Sequence, residues 1–417
     1  MQGYIISGGR RLCGTVGVHG SKNSVLPLIS ASLLMNGESV LHNCPDLTDV
    51  TAALEILKAL GIGYVKNGSD ISIFSKKPER FIIPDELMCS MRSSVMFLGS
   101  ILSRCKRAVI STPGGCMLGP RPIDLHINAL KKMGATVTAH ENTLEFSAEN
   151  GLAGAEIYLD FPSVGATENV IMAATLATGV TTLYNAAREP EIGDLIDFLN
   201  GAGARITVED SGAVRIIGVS GLNCCEHTVI SDRIEAATYM AAAAATGGSV
   251  VLKGAMPSHL RAVTEVFLKT GCDISAQGNT IEFYAPKTLK PVRLLKTQVY
   301  PGFPTDAGPL LISTLCFANG VSVIKEGIFE NRYVFAGELS RFGADIGIYG
   351  NMALVEGYNK LSGANCRCTD LRGGAALVIA ALGADGESRI ENICHIKRGY
   401  QDFAENLKDL GADISEE

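Results

Sequence analysis

The 417-residue sequence lacks the features that mark several functional classes. No apolar run approaches the roughly 20 residues that a membrane-spanning helix needs, the longest being short segments such as YMAAAAAT and PLLISTLCFA, so no membrane partner is expected. The opening MQGYIISGGRRLCG carries no apolar h-region, so no secretory signal is expected either. Basic residues are the minority, 36 Lys and Arg against 43 Asp and Glu, and the net charge of -7 speaks against a nucleic-acid partner. Neither a G-x-x-x-x-G-K-[ST] phosphate loop nor a strand-linked G-x-G-x-x-G occurs, which argues against nucleotide hydrolases and dehydrogenases. The 7 histidines show no H-E-x-x-H, and the nearest cysteine pairs, Cys224-Cys225 and Cys366-Cys368, lack C-x-x-C spacing, so no metal site is expected. The 12 cysteines are scattered and, with no secretory context, read as free thiols of a reduced cytoplasmic protein.

What is present is a globular composition, 47% hydrophobic and 19% charged, on a chain too long for one core. A short phrase recurs in it: an apolar residue, Gly, a small residue, then a strand-like run. The glycines of this phrase are residues 61, 134, 203, 271, 343 and 411, so successive copies stand 68–73 residues apart. Glycine fits there because the residue just past a helix often takes the left-handed conformation. An amphipathic helix precedes several of these glycines, as in TDVTAALEILKAL and HLRAVTEVFLKT. Two short strands follow each one, as in DISAQGNTIEFYA, where Gly278-Asn279 makes the turn. Upstream lies a second helix that is apolar nearly all round, in the segments SVLPLISASLL, SVMFLGSIL, NVIMAATLA, ATYMAAAAA, PLLISTLCFA and AALVIAALGA. A helix without a polar face must be buried on every side. The expected class is therefore α/β (α+β), built from six β-α-β-α-β-β units, three to a domain. The first 20 residues offer a strand or two that can complete the last unit.

The connecting loops hold the chemistry. GSKN, CSMRSS, FPSVGATEN, SDRIEA, FPTDAG and TDLRGG precede the apolar helices, so Lys22, Arg92, Arg233 and Arg372 stand near helix amino ends. Arg121, Arg332 and Arg398 stand in the other set of loops. Helix amino ends favour anions, and the planar fork of arginine suits phosphate and carboxylate, so a polyanionic ligand is expected. A lone loop arginine is ordinarily solvated, but seven basic residues at equivalent edges of a repeat are not explained that way. Asp306 has the position of a helix cap, as have Ser163 and Thr167, while Asp232 and Asp370 are placed to orient the arginines that follow them. The loop TPGGCMLGPRPIDLH sets Cys116 among glycines and prolines, where a thiol is displayed rather than packed.

In this order GSKN, SMRSS, PGGCMLGPRPIDLH, PSVGAT, NAAREPEI, DRIEA, FPTD, FENR, TDLR and HIKRGY closely resemble the UDP-N-acetylglucosamine 1-carboxyvinyltransferase family of enolpyruvyl transferases. The resemblance runs from Lys22 to Arg398. It implies a two-domain inside-out α/β barrel, each domain three βαβαββ repeats around buried helices. One domain would hold residues 22–230 with the Cys116 loop, the other residues 1–21 and 231–417, with the active site in the cleft between them. It further implies transfer of the enolpyruvyl group of phosphoenolpyruvate to the 3-hydroxyl of UDP-N-acetylglucosamine by addition and elimination, without metal, nicotinamide or ATP. Carried over by motif, Cys116 is the proton donor and Asp306 the general base, with Lys22 and Arg398 acting in catalysis. Lys22, Asn23, Arg121, Arg332, Arg372 and Arg398 surround phosphoenolpyruvate. Arg92, Arg121, Pro122, Ile123, Asp124, Leu125, Ser163, Val164, Gly165, Asp306 and Ile328 line the nucleotide-sugar pocket.

The sequence departs from the family at Phe161, where some members carry lysine, at Gly308, where many carry glutamine, and at Ser231, where proline is common. Two alternatives stand beside the first reading. The sister 5-enolpyruvylshikimate 3-phosphate synthases share fold and chemistry, although PGGCMLGPRP and PSVGAT match the nucleotide-sugar branch. A paralogue that binds without efficient turnover is the other, against which Lys22, Cys116, Asp306 and Arg398 all speak.

Overall fold

The structure is a computed structural model that describes residues 2–90, 92–111, 123–357 and 360–417, excepting the side chains of residues 89, 90, 92 and 93. The chain forms two compact units, one of Met1–His19 with Ser231–Glu417, the other of the described residues within Gly20–Ile230. Each has its own apolar core.

In the Gly20–Ile230 unit the apolar helices are Lys22–Ser32, Phe97–Cys105 and Val164–Thr175. They pack closely through small residues. The Ser30 and Ser100 hydroxyls meet at 3.1 Å, and Ser100 donates to Met172 Sδ at 3.1 Å. At Gly99 an added Cβ would stand 2.4 Å from the Asn169 carbonyl oxygen, so the second and third helices touch through a position that only glycine can hold. Three sheets cover these helices. In one, Glu226–Thr228 runs parallel to Gly37–His42, beside the hairpin of Gly63–Asn67 and Asp70–Ser75. The others hold Arg107–Ser111 with the hairpin of Thr136–Ala139 and Thr143–Ser147, and Glu156–Tyr158 parallel to Val180–Tyr184 with the hairpin of Arg205–Val208 and Val214–Ile217.

The other unit repeats the plan around Arg233–Thr246, Gly308–Leu315 and Leu371–Gly383. Ser313 donates to the Ala376 carbonyl at 2.7 Å and Thr314 to that of Ala241 at 3.3 Å, which satisfies the hydroxyls inside an otherwise apolar stack. Cys13–Gly17 lies parallel to Ser249–Lys253, and Gly3–Ser7 inserts between Glu387–Glu391 and Asp413–Glu416. The first residues of the chain thereby complete the first and last of this unit's three sheets.

All six recurring glycines adopt left-handed backbone, with φ of 88, 94, 101, 93, 86 and 96° at Gly61, Gly134, Gly203, Gly271, Gly343 and Gly411. The repeat is therefore a repeat of helix stops. Two elements differ from expectation. The SVM of SVMFLGSIL belongs to a tight 3-10 turn, Arg92–Met96, preceded by a short helix Asp85–Ser90, and the α-helix begins only at Phe97. The fifth surface helix is reduced to Ala336–Leu339 and a 3-10 turn, Ser340–Phe342, as befits a segment interrupted by Gly337. Among the described residues no helix is long and apolar enough to cross a membrane. The ten described cysteines are all free thiols.

Candidate functional site

Asp306 lies in the 3-10 turn Thr305–Ala307 that leads into Gly308–Leu315. The cap of that helix is Ala307, without a side-chain bond, so Asp306 does not have the capping role its position suggested. Its oxygens instead receive Arg332 Nη2 at 3.0 Å and Arg372 Nε at 3.4 Å. Both arginine side chains are buried, 2% and 3% exposed, whereas that of Asp306 is 29% exposed. The carboxylate is thus the reachable member of a charge-paired triplet.

Arg332 also donates to the Thr305 carbonyl through Nε at 3.2 Å and Nη2 at 3.0 Å. Arg372 lies over the Tyr400 ring, 5.2 Å from its centroid. Burial works against the Arg372 charge, but Tyr400, Asp306 and Asp232 more than offset it and raise its pKa. Asp370 sets the backbone beneath it by accepting the N–H groups of Arg372 at 3.1 Å and Gly373 at 3.0 Å. Arg372 Nη1 is buried without a hydrogen-bond partner among the described residues. A buried donor left unpaired costs about 1–3 kcal/mol, which an incoming oxyanion would recover.

Behind this triplet stands Glu326, 2% exposed. It accepts from Thr305 Oγ1 at 2.9 Å and from the N–H groups of Ile328 at 2.7 Å and Phe329 at 3.2 Å. One buried carboxylate therefore fastens the Asp306 turn to the Ile328 loop. Arg398 ends the 3-10 turn Ile393–Arg398 and is half-buried, and its charge adds to burial in lowering the His395 pKa.

In the Gly20–Ile230 unit, Lys22 opens its helix, where a cation meets the positive end of the dipole. Asp49, 3% exposed, answers it at 2.7 Å. Asn23 follows, half-buried, and the next hydroxyl, Ser24, donates to the buried Asp194, which His227 Nε2 also meets at 2.8 Å. Ile123, Asp124 and Leu125 form the start of the Asp124–Lys132 helix. Ser163 caps the helix of Val164 and Gly165, its hydroxyl accepting from Ala166 N–H at 3.4 Å. Thr167 Oγ1 accepts from Ala187 N–H at 3.0 Å and so ties NAAREPEI to the same helix. His126 joins the two loops, since its Cε1 would stand 3.3 Å from a Cβ at Gly165.

Within one unit, then, Asp306, Arg332 and Arg372 converge with the Ile328 loop close by, and within the other His126, which follows Ile123–Leu125, packs on Gly165. Cys116, Arg121, Pro122 and the Arg92 side chain lie outside the described residues. Of the departures, Phe161 is exposed, Ser231 donates to the Gly254 carbonyl at 2.5 Å, and a Cβ on Gly308 would meet Thr297 at an ordinary 3.7 Å. Packing therefore does not demand glycine at 308. Sequence reasoning passed over Glu326, Thr305, Tyr400, Asp49 and His126. Tyr400, Thr305 and His126 lie inside matched motifs, while Asp49 carried no signal at all.

Residues 6–407 match the family model described as EPSP synthase (3-phosphoshikimate 1-carboxyvinyltransferase). The chain is 46% identical over 411 residues, 99% of its length and 98% of the relative's, to UDP-N-acetylglucosamine 1-carboxyvinyltransferase 2 of Caldanaerobacter subterraneus subsp. tengcongensis. It is 47% identical over 417 residues, 99% of its length and 94% of the relative's, to UDP-N-acetylglucosamine 1-carboxyvinyltransferase 1 of Symbiobacterium thermophilum. Its fold is that of the enolpyruvyl transferase NikO from Streptomyces tendae, with a TM-score of 0.91 at 24% identity over 100% of this chain and 99% of that one. EPSP synthase from Acinetobacter baumannii follows at 0.79 and 20% identity, again over 100% and 99% of the two chains. The repeat, the loop motifs and these relatives agree: the chain belongs to the EPSP synthase family of enolpyruvyl transferases and, within it, to the UDP-N-acetylglucosamine 1-carboxyvinyltransferases.

Proposed function

We propose that this chain transfers the enolpyruvyl group of phosphoenolpyruvate to the 3-hydroxyl of UDP-N-acetylglucosamine and releases phosphate. The observation that carries the reading is the partly exposed Asp306 carboxylate held by buried Arg332 and Arg372, beside an Arg372 nitrogen with no hydrogen-bond partner among the described residues. A carboxylate so held can take a hydroxyl proton while the guanidinium groups stabilise anionic oxygens.

In the addition step Asp306 takes the proton of the sugar hydroxyl as its oxygen bonds to C2 of phosphoenolpyruvate. Cys116 gives a proton to the methylene carbon. A thiol with a reference pKa of about 8.5 is mostly protonated at neutral pH and so can act as this acid. In the elimination step the C2–O bond to phosphate breaks, the methyl group returns a proton to the Cys116 thiolate, the proton held by Asp306 leaves with the phosphate, and the enol ether forms. Lys22, Asn23, Arg121, Arg332, Arg372 and Arg398 hold the phosphate and carboxylate of phosphoenolpyruvate. Arg92, Arg121–Leu125, Ser163–Gly165 and Ile328 hold the sugar nucleotide. The reaction would open peptidoglycan synthesis in the cytoplasm, and through it serve cell shape and division.

Phosphate release tests the assignment. UDP-N-acetylglucosamine should support release from phosphoenolpyruvate, and shikimate 3-phosphate should not. The reverse pattern would move the chain to the sister activity, and binding of both substrates without release would make it an inactive paralogue.

A further inference from the structure

The Gly99 backbone N–H can only donate, and it meets Asn169 Oδ1 at 2.7 Å. That contact fixes which end of the Asn169 amide is oxygen. Asn169 Nδ2 then spends its two hydrogens on the Val95 carbonyl at 3.0 Å and on His126 Nδ1 at 2.8 Å. His126 Nδ1 must accept, so a neutral His126 carries its proton on Nε2. The ring is 7% exposed, and burial holds its pKa at about 4, which keeps it neutral near pH 7. Its Cε1–Nε2 edge faces Gly165, with Nε2 3.6 Å from the place a Cβ would occupy. No described residue partners Nε2. Gly165 is the second residue of the 12-residue Val164–Thr175 helix, whose first N–H groups have no intrahelical acceptor. The Nε2–H edge of a buried ring, without a partner among the described residues, and a helix amino end thus face the same place.

We infer that Asn169 is a positioning residue: it fixes the His126 tautomer so that Nε2–H and the amino end of Val164–Thr175 together hold an anionic oxygen of the diphosphate of the sugar nucleotide. This rests on UDP-N-acetylglucosamine being the acceptor. A neutral donor here makes the grip on the diphosphate insensitive to pH across the physiological range. It also explains why a polar amide sits fully buried between apolar helices, 0% exposed, at the point where Gly99 lets them meet.

Two measurements on the full chain test this. In 15N-histidine-labelled protein at pH 7, two-bond proton–nitrogen correlation should show His126 protonated at Nε2 only. Protonation at Nδ1, alone or in an imidazolium, overturns the inference whether or not the enzyme turns over. Calorimetric titration with UDP should then give a Kd weakened about tenfold by His126→Phe, the order expected for one hydrogen bond, and by a similar factor for Asn169→Leu. The double variant should be no worse than His126→Phe alone, because Asn169 acts through the ring. Additive losses, or an unchanged Kd in His126→Phe, overturn the inference. Absent phosphate release with normal tautomer and UDP binding would instead count against the proposed reaction.

Discussion

Thr305 donates its hydroxyl to Glu326 at 2.9 Å, and through this one bond a buried carboxylate supports the turn that carries Asp306. The same carboxylate holds the Ile328 and Phe329 N–H groups. Thr305→Val removes a single donor of similar volume and should raise the KM for UDP-N-acetylglucosamine several-fold with little change in unfolding midpoint. Thr305→Ser keeps the hydroxyl and should stay near the original. Glu326→Ala strands three part-buried donors and should lower both kcat/KM and thermal stability. Steady-state kinetics with thermal unfolding read all three. Equal kinetics for Thr305→Val and the unaltered chain would remove Glu326 from the support of the site.

Asp306→Asn separates binding from proton transfer. An amide cannot accept the hydroxyl proton, so turnover should fall by roughly 10²–10⁴ at every pH. UDP-N-acetylglucosamine binding should partly survive, since many groups contribute to it. Arg332 and Arg372 also lose a partner charge, which should cost stability, because removing one member of a buried ion pair leaves the others uncompensated. Near-normal turnover would show that another group is the base.

His126 gives a pH prediction with a definite sign. Burial depresses its pKa from 6.5 to about 4, so between those values the unfolded chain binds a proton that the folded chain does not. This contribution to stability is fully present above pH 6.5 and is lost as the pH falls towards 4. The shift corresponds to roughly 3 kcal/mol at most. Urea unfolding of the chain and of His126→Phe at pH 7 and at pH 4.5 should show the variant losing less on acidification. Parallel losses would mean that His126 does not stay neutral in the folded chain.

Gly99→Ala tests the close approach of the apolar helices. The new methyl would lie 2.4 Å from the Asn169 carbonyl oxygen, a backbone atom that cannot rotate away. Overpacking of this kind costs roughly 1–3 kcal/mol, to be read as a lower denaturation midpoint at unchanged m-value. Because the shift bears on Asn169, UDP affinity should fall as well.

The fold was legible because its devices are local and repeated. A helix stop must be glycine when φ is near +90°, and six of them with such φ fall at one period. An apolar face on every side likewise announces a central helix. The site was legible only where a motif carried it. Arg332 and Arg372 could be named from FENR and TDLR, but that both pair with Asp306 depends on three loops distant in sequence. Asp306 also shows how position misleads, since a carboxylate before a helix reads as a cap and here it meets the guanidinium groups of Arg332 and Arg372. Glu326, Asp49 and Asn169 left no trace because burying a polar side chain depends on partners brought from elsewhere. Asn169 in particular sits in a run, NVIMAATLA, that reads as apolar helix.

The acid is best tested apart from the base, by changing its pKa rather than deleting it. Cys116→Asp keeps an acidic proton, but on a group with a reference pKa of about 3.9 in place of about 8.5. If Cys116 only donates a proton, the variant should retain activity with its optimum moved to lower pH, because the carboxyl is protonated only there. It should also resist iodoacetamide. Brief alkylation of the unaltered chain, mapped by mass spectrometry, should label Cys116 ahead of the exposed Cys13, Cys224 and Cys394 when no substrate is present. Labelling led by Cys224, or a pH–rate profile of Cys116→Asp that matches the original, would show that this thiol is not the acid of the reaction.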